Sequence, residues 1–257
     1  IMPVHMYGHP VDMGPVLALA RDRGLVVVED AAQVHGAEYK GRKCGSLGHV
    51  SAWSFYANKI VNTGEGGMVL TSDDAMAERA ASYRNLCFRA DRRFYHTEFG
   101  YNFRMSNLQG ALGVAQVERI EEFVTIKRRV GHLYRARLAA IPGVRFQVEE
   151  AWAKCVYWMY CIELDSELGF KADDARQALA ERGIGTRPFF LGLHEQPAAH
   201  DIGLFNGERY PVAERIARQG LYLPSGLTLT EEQVETVTTE LADVVSTLSM
   251  THSAPIS

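Results

Sequence analysis

Gly24-Leu25-Val26-Val27-Val28-Glu29-Asp30-Ala31-Ala32-Gln33-Val34-His35-Gly36 carries the reading that decides the fold. Leu25 to Val28 is an unbroken apolar run of strand length, the mark of a strand covered on both faces in a parallel sheet. Upstream, Asp12 is placed to cap a helix through Val16, Leu17, Leu19 and Ala20 that ends at Gly24. A helix feeding an apolar strand is α/β grammar. Asp30 falls just past the C-terminal end of that strand, where open α/β sheets bind their ligands. Alone, Asp30 reads as an ordinary strand-end aspartate.

A partner further along changes that reading. Ser51-Ala52-Trp53-Ser54-Phe55-Tyr56-Ala57-Asn58-Lys59-Ile60-Val61-Asn62-Thr63-Gly64-Glu65-Gly66-Gly67-Met68-Val69-Leu70 reads as strand, turn, strand, with the glycines supplying the reversal. Lys59 is a lone cation in an apolar, aromatic setting. Lost solvation of its ammonium lowers the pKa and leaves more free amine to attack a carbonyl, which is how a Schiff-base lysine is prepared. The alternative is a snorkelling lysine at a strand end. An acid past one strand and a lysine on a neighbouring strand are two of the groups that pyridoxal phosphate needs. The lysine takes the aldehyde carbon, and the acid keeps the pyridinium nitrogen protonated.

Three motifs also carry a family resemblance: Glu29-Asp30-Ala31-Ala32-Gln33-Val34-His35-Gly36-Ala37; Ser54-Phe55-Tyr56-Ala57-Asn58-Lys59 with Gly64-Glu65-Gly66-Gly67; and Gly100-Tyr101-Asn102-Phe103-Arg104-Met105-Ser106-Asn107-Leu108-Gln109. In this order they resemble the DegT-type nucleotide-sugar aminotransferases, pyridoxal-phosphate enzymes of fold type I. Pro3-Val4-His5-Met6-Tyr7-Gly8 and Arg93-Phe94-Tyr95-His96 look most like the GDP-perosamine synthases within them. The resemblance implies an α/β fold type I transferase with an incomplete, mostly parallel large-domain sheet and a small C-terminal α+β domain. It implies pyridoxal 5'-phosphate as cofactor, with Lys59 as the catalytic lysine and Asp30, Gln33, Ser54 and Asn102 as its companions. Gln33 resembles the residue near the ring's phenolic oxygen, and Ser54 the hydroxyl that donates to the phosphate. Asn102 resembles the residue that reaches a neighbouring subunit's phosphate; by itself it reads as an Asn that turns the chain ahead of a helix. His194, in Leu193-His194-Glu195-Gln196-Pro197, and Arg104 are further candidates for contact with a sugar nucleotide.

The same resemblance implies transfer of an amino group, from L-glutamate, to a nucleotide-linked 4-keto-6-deoxy sugar such as GDP-4-keto-6-deoxy-mannose. It also implies a homodimer with shared active sites and a place in lipopolysaccharide O-antigen biosynthesis. In the family a sizeable segment with a glycine-rich phosphate loop precedes a start like Ile1 to Met6, so the chain reads as the C-terminal two-thirds or so of a member. An alternative of another class is an inactive or incomplete scaffold that serves as a binding or dimerisation module.

Composition limits the other possibilities. With 257 residues, 47% hydrophobic and 23% charged, the chain is long enough for a large and a small domain. A net charge of -4 without a basic run gives no case for nucleic acid. No apolar run approaches a membrane span and no signal core follows the N-terminus, so the cytoplasm is the expected location. Cys44, Cys87, Cys155 and Cys161 lack metal-ligand spacing and read as buried, reduced thiols, and no metal site is indicated.

Further along, Asp73 or Asp74 can cap a helix to about Arg84, and Phe88 to Phe99 is an excursion rich in arginine and aromatics. Ser106 and Gln109 form a capping box for one long helix running to Pro142-Gly143. The domain boundary is expected inside it, giving a large domain at 1–125 and a small one at 126–257. There Val156 to Leu164 reads as a strand, Ala172 to Arg182 as a helix, Thr186 to Phe190 as a strand, and Tyr210 to Gly220 and Glu231 to Leu248 as closing helices joined by a turn at Leu223-Pro224.

Overall fold

The computed structural model describes residues 1–89 and 91–253; Ala90, within the Phe88 to Phe99 excursion, lies outside them. In chain order the first elements are α1 (Met13–Arg23), β1 (Val28–Asp30), β2 (Glu38–Tyr39), β3 (Arg42–Lys43), β4 (Val50–Ser54), β5 (Gly67–Thr71) and α2 (Asp74–Arg84). Next come α3 (Asn107–Val117), α4 (Ile120–Leu138), β6 (Val144–Phe146), β7 (Ala153–Lys154), β8 (Tyr160–Leu164) and α5 (Ala172–Glu181). The chain closes with β9 (Arg187–Pro188), α6 (Pro197–Asp201), α7 (Pro211–Gln219), β10 (Gly220–Leu223) and α8 (Glu231–Ser253). Two compact units result. The first is Ile1–Ile126 with Glu149–Trp158, and the second is Lys127–Val148 with Met159 onward.

The first unit holds the sheet β1-β4-β5, in which β1 and β4 run parallel and β4 and β5 antiparallel. Ile1 to Val4 runs along the other side of β1: Val28 N–H donates to the Ile1 carbonyl at 2.9 Å, and Asp30 N–H to that of Pro3 at 2.9 Å. The strand is shorter than the apolar run that announces it, because Leu25 and Val26 are exposed and only Val27 is buried before Val28. In α1, Asp12 occupies the N-cap position without capping. Its carboxylate accepts the Tyr39 hydroxyl at 2.6 Å, and that hydroxyl in turn accepts the Gly14 N–H at 3.0 Å. In α2, Asp73 does cap, accepting the Met76 N–H at 2.8 Å.

Two expectations are corrected where the backbone turns. The single helix expected after Ser106 is two, α3 and α4, interrupted at Glu118 and Arg119. The apolar positions Leu108, Ala111, Leu112 and Ala115 keep helical spacing and then skip to Ile120, so the apolar stripe slips out of phase at the break. The capping box of Ser106 and Gln109 is present at the start of α3.

Likewise, Val156 to Leu164 is not one strand. Tyr157 adopts a left-handed φ of 46°, which separates β7 from β8. A boundary at 125 with everything beyond it in the small domain also misses a return of the chain. β7 pairs with β2, and Lys154 Nζ lies 3.0 Å from Glu38 Oε1, so Glu149–Trp158 joins the first unit. β2 and β3 form a tight hairpin whose central residues, Lys40 and Gly41, both have positive φ.

The second unit is an antiparallel sheet of order β6-β8-β10-β9. β10 occupies residues read from sequence as helix end and turn. β9 keeps only two residues of its expected span and includes Pro188, which has no N–H to donate. Ile162, Leu164, Leu179, Leu221 and Leu241 are fully buried, and Tyr134 stacks on Tyr160 at 4.8 Å while donating its hydroxyl to the Pro224 carbonyl at 2.8 Å. All four cysteines are buried free thiols. Among the described residues no helix is long and apolar enough to cross a membrane.

Candidate functional site

Lys59 lies in the loop that joins β4 to β5, not on a strand. The loop closes on itself at its base: Phe55 N–H donates to the Gly66 carbonyl at 2.8 Å and Thr63 N–H to that of Phe55 at 2.9 Å. Gly66, at φ 152°, supplies a conformation that side chains resist there. Inside it, Lys59 N–H turns back to the Tyr56 carbonyl at 2.9 Å, and the Lys59 amine stands 3.9 Å from the centre of the Trp158 ring. Burial pushes the amine's pKa below the ordinary lysine value, and the Asp30 carboxylate pulls it partly back. Among the described residues no direct ion pair joins the two groups; they act on each other through space.

Asp30 is the last residue of β1, and its Oδ1 accepts the Ala32 N–H at 3.1 Å, turning the chain off the sheet. Ser54 is the last residue of β4, and its Oγ accepts the Tyr56 N–H at 3.3 Å. Because β1 and β4 are parallel neighbours with Asp30 opposite Ala52, both residues end strands at the same rim of the sheet, beside the Lys59 loop. Gln33 Oε1 accepts the Tyr7 N–H at 2.5 Å, so in this structure its carbonyl oxygen serves the chain itself. Asn102 is exposed and accepts from Arg104 Nε at 3.3 Å. His194 belongs to the second unit, where it is buried with Nε2 3.4 Å from Glu214 Oε1 and its ring 4.8 Å from that of Tyr210. The Arg209 guanidinium, followed by the Tyr210 N–H and His194, draws the Glu214 carboxyl down to about 2.

The structure adds residues that sequence reading did not single out. His35 is buried with its ring 5.1 Å from Trp53 and 5.9 Å from Phe55. Burial first, and then the charge of Lys59, push its pKa down to about 4, so it is neutral at physiological pH. Glu29, beside Asp30, is buried and accepts the N–H groups of Gly45 (2.7 Å), Leu47 (2.7 Å) and Gly48 (2.6 Å). His5 Nδ1 accepts the Val11 N–H at 3.0 Å, so the ring proton sits on Nε2, which donates to Glu29 at 3.0 Å. Burial alone would raise the Glu29 pKa; the bond from His5 and then the three amides outweigh it and lower it. The glycine-punctuated loop after β3 is thereby tied to the strand that presents Asp30. The available signal was an acid inside an apolar strand pattern facing a loop of glycines.

The match to the profile of the DegT/DnrJ/EryC1/StrS aminotransferase family covers residues 1–242. Two GDP-perosamine synthases are similar to the chain. That of Caulobacter vibrioides is 37% identical over 246 residues, 95% of this chain and 66% of that protein. That of Escherichia coli O157:H7 is 35% identical over 234 residues, 91% of this chain and 62% of that protein. The chain thus spans 62% to 66% of the length of these relatives. In structure it is similar to the aminotransferase TlmJ from Streptoalloteichus hindustanus, with a TM-score of 0.87 and 32% identity over 96% of this chain and 66% of that one. The architecture is that of fold type I. From the motifs at the rim of the sheet, the profile covering nearly all of its length and the relatives above 30% identity, the chain belongs to the DegT/DnrJ/EryC1/StrS aminotransferase family.

Proposed function

We propose that this chain carries the catalytic lysine and most of the cofactor-holding residues of a pyridoxal-phosphate-dependent aminotransferase acting on a nucleotide-linked 4-keto-6-deoxy sugar. The observation that carries the reading is the Lys59 amine, half-buried at the strand-end rim where the Asp30 carboxylate acts on it through space, with its pKa lowered by burial. The donor set fits a phosphorylated pyridine aldehyde. Lys59 supplies the amine for the aldehyde carbon, Asp30 a carboxylate for a ring N–H, and Ser54 a hydroxyl for a phosphate oxygen.

When bound, pyridoxal 5'-phosphate supplies an electron-accepting ring that makes the carbon bearing a substrate amine acidic. Lys59 then has two tasks: to bind the aldehyde carbon, and, once displaced by an amino donor, to take and return a proton with its free amine. A lowered pKa serves both, because only the unprotonated amine attacks or accepts. Asp30 holds the proton on the ring nitrogen. Gln33 reaches the site through Tyr7, whose N–H it binds.

The exposed Asn102, close in sequence to the exposed apolar residues of α3, supports a homodimer in which each copy completes the other's phosphate site. Similarity to GDP-perosamine synthases supports GDP-4-keto-6-deoxy-mannose as acceptor, with L-glutamate as donor and a cytoplasmic setting; Arg104 and His194 are candidates for contact with the nucleotide-sugar.

The test is Lys59→Ala. It should abolish covalent fixation of pyridoxal phosphate by borohydride and all transamination, with an unchanged circular dichroism spectrum. A variant that still transaminates a keto-sugar refutes the assignment. Asp30→Asn should keep the fixation and lose at least about 100-fold in turnover, since an amide does not hold the ring proton. Assays with GDP-, UDP- and dTDP-linked keto-sugars decide the nucleotide.

A further inference from the structure

One side chain grips the Lys59 loop from outside it. The Trp158 ring centre is 3.9 Å from the Lys59 amine, and Trp158 Nε1–H donates to the Asn58 carbonyl at 2.8 Å. The same indole therefore touches the tip of the lysine and the backbone immediately before it. An ammonium over the face of an indole is attracted by the ring's quadrupole, and the attraction strengthens where water is excluded.

The indole is itself fixed. It lies 96% buried, nearly parallel to the Tyr7 ring, at 15° and a centroid separation of 6.4 Å. The chain segments carrying the two rings meet so closely that a Cβ on Gly8, at φ 94°, would stand 2.6 Å from the Trp158 amide nitrogen. Val156 N–H donates to the Gly8 carbonyl at 3.0 Å. Tyr7 and Tyr157 both hold left-handed φ values, 55° and 46°, unfavourable for aromatic residues and kept only where surrounding contacts over-determine them. Gln33 fixes the first by taking the Tyr7 N–H. A line of contacts thus runs from Gln33 through Tyr7 and Trp158 to Lys59.

We propose that Trp158 is the positioning residue for the Lys59 amine: its ring face holds the ammonium in place and its N–H fixes the backbone from which the lysine projects. This rests on the reading of Lys59 as the carbonyl-binding lysine. Trp158 acts through Lys59 and opposes burial, which lowers the amine's pKa. The other charged and titratable groups coupled to the amine are Asp30, at the end of β1, and His35, in the loop that follows. Asp30 favours the ammonium with its charge, and His35, being neutral, leaves it to the indole and the carboxylate.

The experiment uses the full chain without added cofactor. Competitive labelling of lysines with acetic anhydride across pH, read by mass spectrometry, gives a titration midpoint for each lysine. Trp158→Leu removes both contacts, and the Lys59 midpoint should fall by about one pH unit while those of other lysines stay. Trp158→Phe keeps a ring face and loses the N–H. Its midpoint should stay closer to that of the parent, while amide exchange at Lys59 to Val61 accelerates. Identical Lys59 midpoints in all three proteins overturn the proposal. So does a shift shared by every lysine of the first unit, which would make Trp158 a core residue only. If the leucine variant does not fold, the phenylalanine variant carries the test, and unchanged exchange there overturns it. Borohydride fixation of pyridoxal phosphate reports separately on the lysine's role. Label on another residue overturns the functional reading, while a shifted Lys59 midpoint in Trp158→Leu still upholds the indole contact.

Discussion

β5 and β8 are both five residues long and both rich in apolar residues, yet they meet opposite fates. β5 leaves Met68, Val69 and Leu70 exposed, Val69 by 54%. β8 buries Tyr160, Cys161, Ile162 and Leu164. Their neighbours explain the difference. β8 lies between β6 and β10 in a sheet on which α7 and α5 pack, with α8 packed on α5 in turn. Among the described residues β5 is an edge, paired only with β4. The second unit completes a core from its own residues. The first presents apolar residues on β5 and on α3, where Leu108 is 85% exposed, that the described residues leave open. The candidate site sits in the same unit as these exposed faces of β5 and α3.

The largest expected effect tests this contrast directly. Leu179→Ala in α5 or Leu241→Ala in α8 removes a fully buried side chain and should cost about 2–5 kcal/mol in urea unfolding. Leu70→Ala in β5, 44% exposed, should cost under about 1 kcal/mol in dilute protein. Equal losses would break the comparison.

A second effect belongs to the first unit alone. The His35 pKa falls from 6.5 to about 4 on folding. The unfolded chain therefore takes up that proton first as pH drops. The stability His35 contributes is full above pH 6.5 and is lost toward pH 4, at up to about 1.4 kcal/mol per pH unit. His35→Phe should flatten this part of the curve, as seen in thermal melts at stepped pH, whereas Leu241→Ala should lower the whole curve without changing its slope.

What could be read beforehand divides along physical lines. Local rules carried far: the capping boundary at Ser106, the cap at Asp73 and the strand-end placement of Asp30 each depend on a few neighbouring residues. The resemblance of three motifs supplied the family. Residues whose roles depend on distant partners were not legible. Trp158 looked like part of an aromatic strand because nothing nearby in sequence shows that Tyr157 turns left-handed and delivers the indole to Lys59, 99 positions away. Glu29 was hidden by the chemistry of Asp30 next to it, although its four donors come from two separate loops. The β4–β5 connection was drawn too short, because apolar residues on both sides of Lys59 imitate strand while the backbone bonds at its base make a closed loop.

The smallest effect sharpens the contrast most. Ser106 accepts the Gln109 N–H at 3.3 Å and donates its own N–H to Gln109 Oε1 at 2.9 Å, closing the first turn of a helix in which no residue is buried. Ser106→Ala removes one half of that box and should cost about 1 kcal/mol, felt first in the opening turn of α3. Hydrogen exchange on the first turn of α3 should quicken about fivefold, with the amides of α8 unchanged. If a second copy covers Leu108 and Leu112, the exchange rate of α3 will fall as protein concentration rises, in parent and variant alike, and the variant will need more protein to reach the same protection. Rates independent of concentration in both would mean that the open face of the first unit is not where copies of this chain meet.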